Sequence, residues 1–142
     1  MGNIARQQRL LEHQQRFEQQ CTARLQQFVR QRDELAAQMN QLQSYRSEYR
    51  MTGSNAMQMD DTLVFLNRLD HSIQELRQHL QRAEREVENW RQRVQHASAR
   101  ALAMQKLLSR TREDLRRVSR NSERKAIDER IAGHAARNRK DW

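Results

Sequence analysis

The amino-acid sequence predicts an all-α fold in which two long helices form an antiparallel coiled-coil hairpin and the C-terminal helix overhangs the first. The 142 residues include three glycines and no proline, so the residues that usually end helices are nearly absent. Gln, Arg, Glu, Ala and Leu dominate, whereas strands favour β-branched and aromatic residues. Apolar residues also recur at alternating steps of three and four, which is the repeat of a coiled coil. We therefore expect one helical hairpin over residues 1–142.

The first helix is predicted over about residues 4–50. Its seam, the stripe of heptad positions that faces a partner helix, repeats every 3.5 residues on average. The apolar seam residues are Ile4, Leu11, Cys21, Leu25, Phe28, Leu35, Met39, Leu42 and Tyr49. The polar seam residues are Gln7, Gln14, Glu18, Arg32 and Arg46. Because polar seam residues lower stability while they fix the register, we expect a looser N-terminal end.

A break in the heptads over about residues 51–60 predicts the hairpin loop. The break contains Gly53, the single glycine between positions 2 and 133. Asp60 or Asp61 would then cap the second helix, because a carboxylate accepts hydrogen bonds from the free N–H groups of a helix start. Its negative charge also suits the positive end of the helix dipole.

The second helix is predicted over about residues 61–132, followed by a frayed tail at 133–142. Its seam runs without a skip through Leu66, Leu69, Ile73, Leu76, Leu80, Ala83, Val87, Trp90, Val94, Ala97, Ala101, Met104, Leu108, Thr111, Leu115 and Val118. This helix is much longer than the first. Residues beyond about 108 should therefore have no partner helix in the chain and form an overhang.

Two registers of the hairpin fit the seams. Partner residues whose numbers sum to about 108 would set Leu42 against Leu66. A slip of one heptad, to a sum of about 115, would set Leu25 against Trp90. Both alignments oppose apolar residues, so the register stays open at this point.

The positive charge is concentrated at the C-terminal end. The chain carries a formal net charge of +9, of which residues 109–142 contribute +5. Most of the cationic residues are arginines, whose planar guanidinium group binds carboxylates as readily as phosphates. The overhang is thus suited to an acidic protein surface, a nucleic acid or an anionic lipid surface.

The sequence contains no motif typical of a catalytic site, a metal site or a membrane-spanning segment. The histidines show no metal-ligand spacing, and Cys21, the single cysteine, has no partner for a disulfide. No phosphate-binding glycine loop or nucleophile motif occurs, and no run approaches the roughly 20 apolar residues that cross a bilayer. We predict a non-enzymatic protein without a cofactor, a metal or a transmembrane segment.

Three apolar residues beside the loop form a candidate docking patch. Leu63 and Val64 flank the start of the second seam, and Phe65 occupies a g position, where a large aromatic side chain is partly exposed. They could close the loop against the helices. They could equally bind another protein, because exposed apolar patches mark interaction sites.

Several short motifs resemble the flagellar FliJ family, and the length, basic charge and hairpin layout agree over nearly the whole chain. The motifs are Tyr45, Glu48 and Tyr49 before the loop, Phe65, Leu69, Ile73, Leu80 and Val87 after it, and Glu123, Lys125, Asp128 and Glu129 near the end. The injectisome counterpart has the same layout, so the sequence does not separate flagellar from injectisome export.

The resemblance implies a stalk of the bacterial type III export apparatus that binds the hexameric export ATPase. It also implies contacts with the membrane export gate and with export chaperones, and a cytoplasmic location peripherally associated with the inner membrane. Phe65 and Leu69 would contact the gate, together with Leu63 and Val64. The terminal segments would enter the ATPase ring, with candidate contacts at Arg116, Arg117, Arg120, Arg124 and Lys125.

Two other functions use the same features. A nucleic-acid-binding coiled coil would use the arginine excess, although the aromatic residues that stack on single strands are missing from the basic end. A homo-oligomeric scaffold would pair the overhang of one copy with another through Leu108, Leu115 and Val118.

Overall fold

The computed structural model describes the backbone of residues 2–52 and 56–140 and the side chains of residues 2–49 and 60–139. The described backbone forms two helices, α1 (Gly2–Thr52) and α2 (Ala56–Lys140). The helices contact each other, as in a helical hairpin, so the all-α prediction is confirmed. Gly53, in the predicted loop, lies outside the described residues.

The helices extend further than the sequence predicts. Because α2 begins at Ala56, Asp60 and Asp61 lie inside the helix and do not cap it, which corrects the capping prediction. The residues that precede them, Ala-Met-Gln-Met, are all good helix formers. The helix also continues through Gly133 to Lys140, across most of the tail that follows the predicted helix. A glycine costs a helix only about 1 kcal/mol relative to alanine, and three alanines lie within three residues of Gly133.

The chain divides into two compact units, each built from parts of both helices. The terminal unit comprises residues 1–15 and 99–142, and the central unit comprises residues 16–98. Within each unit, side-chain burial follows the predicted seams. All predicted seam residues up to Arg46 on α1, and from Leu66 to Thr111 on α2, are buried or partly buried.

The core of the central unit combines small residues with one large aromatic pair. Cys21, Ala83 and Ala97 are buried, and their small side chains allow the helices to approach closely. Phe28 stacks on Trp90 with ring centroids 6.3 Å apart and an interplanar angle of 17°. The guanidinium carbon of Arg93 lies 4.6 Å from the centroid of Trp90, within the range of a cation–π contact.

Four contacts between the helices define the register of the central unit. They join Tyr49 to Phe65, Arg46 to Asp70, Phe28 to Trp90, and Glu18 to Ser98. Residue numbers on α2 rise as those on α1 fall, and the sums lie between 114 and 118. Of the two registers that the sequence left open, this is the one near 115.

The terminal unit has a short core and a long exposed segment. Leu11, Ala101 and Leu108 are buried, and Arg112 donates a hydrogen bond to Gln8 Oε1 at 3.2 Å. From residue 112 to residue 139 every side chain is exposed. Leu115 and Val118, the last two predicted seam residues, belong to this exposed segment.

Candidate partner-binding surfaces

An apolar and aromatic patch lies in the central unit near the start of α2. Leu63, Val64 and Phe65 occupy the three consecutive positions just ahead of the seam residue Leu66, and all three lie outside the seam. All three are exposed. Phe65 contacts Tyr49 of α1, with ring centroids 4.5 Å apart and an interplanar angle of 34°. Exposed large apolar side chains that lie together are typical of protein interaction surfaces.

Leu69 differs from the three residues before it. Its exposed fraction is 9%, against 39% for Phe65, because it occupies a seam position that faces α1. Leu69 lies one helical turn after Phe65 on the same helix. In this conformation the side chain of Leu69 is therefore largely covered, unlike those of Leu63, Val64 and Phe65.

Two tyrosines of α1 extend this surface. The heptad repeat predicts Tyr49 in the seam, whereas the structure exposes it and sets its ring against that of Phe65 in a tilted contact. At this end of the seam the ring lies over the neighbouring aromatic side chain instead of inserting between the helices. Tyr45, one helical turn earlier, is also exposed. Tyrosine is favoured at interfaces because it combines an apolar ring with a polar hydroxyl, and the spacing of four was the signal that could have identified the pair.

An ion pair between the helices lies beside the aromatic contact. The guanidinium of Arg46 binds the carboxylate of Asp70 through two nitrogens, Nε to Oδ1 and Nη2 to Oδ2, the latter at 3.3 Å. Such bidentate pairs are more directional than single ion contacts. Arg46 precedes Tyr49 by three residues and Asp70 follows Phe65 by five. The ion pair therefore helps to fix how the two aromatic residues are presented.

A second surface, in the terminal unit, is basic. The five predicted cationic residues are all exposed, but they do not share one environment. Arg116 and Arg120 line an open groove of about 590 Å³, which also contains Gln8 and Glu12 of α1. Arg117 pairs with Glu113 at 3.4 Å. The remaining two, Arg124 and Lys125, lie further along α2 and do not line the groove.

Arg112 also lines this groove, although it is not one of the five predicted contact residues. It lies one helical turn before Arg116 and two turns before Arg120 on the same helix. Its guanidinium is oriented by the hydrogen bond to Gln8. The regular spacing of four was visible in the sequence, but the opposing wall from α1 was not.

The described residues show neither a metal-binding cluster nor a membrane-spanning helix. Among residues 2–49 and 60–139, no group of three or more His, Cys, Asp and Glu side chains converges. His71 lies 3.3 Å from Glu75, one turn later on the exposed face of α2. In the part of the chain that the structure describes, neither helix has a stretch apolar enough to cross a bilayer.

The chain matches a known protein family. A family model described as "Flagellar FliJ protein" matches residues 4–141, which is nearly the whole chain. No curated protein and no solved structure matches the chain significantly.

Proposed function

Because the chain belongs to the flagellar FliJ family, we propose that it is a stalk that binds the hexameric export ATPase and links it to the export gate and to substrate chaperones. Membership of the family identifies a component of the flagellar export apparatus, and one that is non-catalytic. The specific partners belong to the proposal. So does a cytoplasmic location with peripheral association at the inner membrane.

The observation that carries the proposal is the exposed segment at 112–139. Within these residues α2 buries no side chain, yet it carries apolar residues such as Leu115 and Ile127 among its arginines. We infer that the two helices form an antiparallel coiled coil from which this segment overhangs. A helix with unburied apolar residues and an excess of positive charge is suited to a partner with an acidic surface.

The proposed mechanism requires no chemistry from this chain. A single stalk inside a ring of identical subunits contacts those subunits unequally, and it therefore favours different conformations in different subunits. ATP hydrolysis then belongs to the ring. On this proposal the basic residues Arg116, Arg117, Arg120, Arg124 and Lys125 contact the ATPase. Leu63, Val64 and Phe65 contact the gate. Leu69, in the seam, stabilises the part of α2 that carries them.

A pair of truncations tests the ATPase contact. Ending the chain after Thr111 removes the exposed segment but none of the buried side chains. We expect the shortened protein to remain helical and to lose stimulation of ATP hydrolysis by the export ATPase. Ending the chain after Ala132 keeps all five cationic residues and should keep most of the stimulation.

The measurement is the ATPase rate against added protein for the full-length chain and both truncations, with circular dichroism as the folding control. Equal stimulation by the chain that ends at Thr111 would place the ring contact elsewhere and contradict the proposal. A full-length protein that gives no stimulation, but self-associates through residues 112–142 or shifts DNA in a gel, would replace it with a scaffold or nucleic-acid function.

A further inference from the structure

We propose that the groove of the terminal unit binds an acidic helical segment of the partner ATPase, whose carboxylates lie one turn apart and contact Arg116 and Arg120. The inference rests on the proposed function and specifies the chemistry of its contact. The groove runs between residues 8–15 of α1 and residues 105–120 of α2, so it requires both helices. A basic stripe on α2 alone would not provide it.

The groove has a fixed apolar floor and polar walls. Leu11 and Leu108 form part of the floor and are buried in the seam, which fixes the distance between the walls. Gln8 Oε1 accepts the hydrogen bond from Arg112, so the amide nitrogen of Gln8 keeps its donors for a ligand. Together with the guanidinium groups, the walls thus offer hydrogen-bond donors, which carboxylates require.

The charges of the groove are only partly balanced within the protein. Arg116 and Arg120 make no hydrogen bond or ion pair with any residue that the structure describes. Glu113 also lines the groove, but its carboxylate is paired with Arg117, which does not line it. Two guanidinium groups are therefore available to a ligand.

The spacing of these two arginines matches that of a helix. Four residues along α2 correspond to about 6 Å along its axis, and two carboxylates four residues apart on a partner helix have the same spacing. A partner helix aligned with α2 can therefore make two charge-assisted hydrogen-bond contacts at once. A disordered acidic segment would pay an additional entropy cost for the same contacts.

A nucleic acid suits the groove less well. None of its lining residues is aromatic, so bases have no side chain on which to stack. Glu12 also lines the groove, and a phosphate backbone offers its carboxylate no cationic group with which to pair. Glu12 can instead accept a hydrogen bond from a cationic residue of a protein partner.

The test uses full-length protein and two labelled helical peptides of identical composition. One peptide carries glutamates four residues apart and the other carries them two residues apart. The groove variant combines Arg116→Glu with Arg120→Glu. The control variant combines Lys106→Glu with Arg110→Glu, which changes the net charge equally, and at the same spacing of four, at exposed positions outside the groove.

We expect the wild type to prefer the peptide with glutamates four apart. Loss of two charge-assisted contacts should weaken that binding by at least about tenfold in the groove variant. The control variant should lose less than about threefold, because its charges act only through solvent. Fluorescence anisotropy measures both affinities, and circular dichroism verifies that the variants are helical. ATPase stimulation should fall in the groove variant and persist in the control.

Three results would overturn the inference. The first is an equal loss of peptide affinity in the groove variant and the control variant. The second is equal affinity of the wild type for the two peptides. The third is a groove variant that no longer binds a single-stranded oligonucleotide but still binds the peptide. A fourth result would separate the inference from the proposed function, namely a wild type that binds the peptide selectively but does not stimulate the ATPase. It would overturn the proposed function and support the ligand class assigned to the groove.

Discussion

Neighbouring leucines in the terminal unit differ sharply in burial. Leu11 is 8% exposed and Leu10 is 50% exposed; Leu108 is 4% exposed and Leu107 is 54% exposed. In each pair the buried member occupies the seam, and the other lies at a g position beside it. The same residue type thus contributes differently to stability at adjacent positions.

These pairs provide a test of the heptad assignment with matched controls. Leu11→Ala and Leu108→Ala should each lower the free energy of unfolding by roughly 2 to 3 kcal/mol, because they remove buried apolar surface and leave a cavity. Leu10→Ala and Leu107→Ala should each cost less than about 0.5 kcal/mol. Urea unfolding followed by circular dichroism measures all four. A larger cost at the exposed positions would show that the seam faces the wrong way.

The aromatic patch of the central unit can be tested in a similar manner. Phe65→Ala should weaken binding to the gate protein by about tenfold or more, since exposed aromatic residues often dominate interfaces, and should leave helicity unchanged. Leu69→Ala serves as the comparison, because it should mainly lower thermal stability. Unchanged affinity for Phe65→Ala, measured by calorimetry or surface plasmon resonance, would exclude the patch as the gate contact.

Between the two helices, the pair formed by Arg46 and Asp70 provides a test of register. Arg46→Asp or Asp70→Arg alone opposes like charges and should destabilise the protein, whereas the double exchange should restore most of the loss. Because the two side chains are 34% and 48% exposed, we expect a coupling energy of only about 0.5 to 1 kcal/mol. A double-mutant cycle in urea measures it. Zero coupling would argue against this register.

The sequence was sufficient to predict the helices and the phase of their seams, but not the register. The heptad repeat alone predicts which residues face the partner helix. Every residue that it predicts from Leu66 to Thr111 is buried or partly buried. Sliding one helix by seven residues restores the same apolar pattern, so the repeat carries no register information. Specific contacts decide it, and Asp70 was not an obvious partner for Arg46 because it lies outside the seam.

The candidate surfaces were predicted in part for a related reason. Leu63, Val64 and Phe65 could be identified because they are large apolar residues outside the seam, where most side chains are exposed. The groove was not predictable, since its walls come from segments about a hundred residues apart, as the contact of Gln8 with Arg112 shows. The spacing of residues within one helix identifies a stripe of arginines. The residues of α1 that face this stripe can be identified only when the register of the two helices is known.

For the whole chain, the net charge of +9 predicts how association responds to salt. Exposed charges are screened within about 8 Å at physiological ionic strength, so added salt should slow association with an acidic partner. The ATPase activation measured at a fixed protein concentration below saturation should fall as salt rises. Replacing potassium chloride with an equal osmolarity of sucrose is the control. Activation that is independent of salt would indicate an apolar contact with the ring.

The order of contacts in the central unit also has a kinetic consequence. The joined residues are 16 positions apart for Tyr49 with Phe65, 24 for Arg46 with Asp70, 62 for Phe28 with Trp90 and 80 for Glu18 with Ser98. Short loops close at a lower entropy cost than long ones, so we expect folding to begin at the aromatic contact and to proceed away from it. Substitutions near Phe65 should then slow refolding. Substitutions near Glu18 should mainly accelerate unfolding, because their contacts form after the transition state.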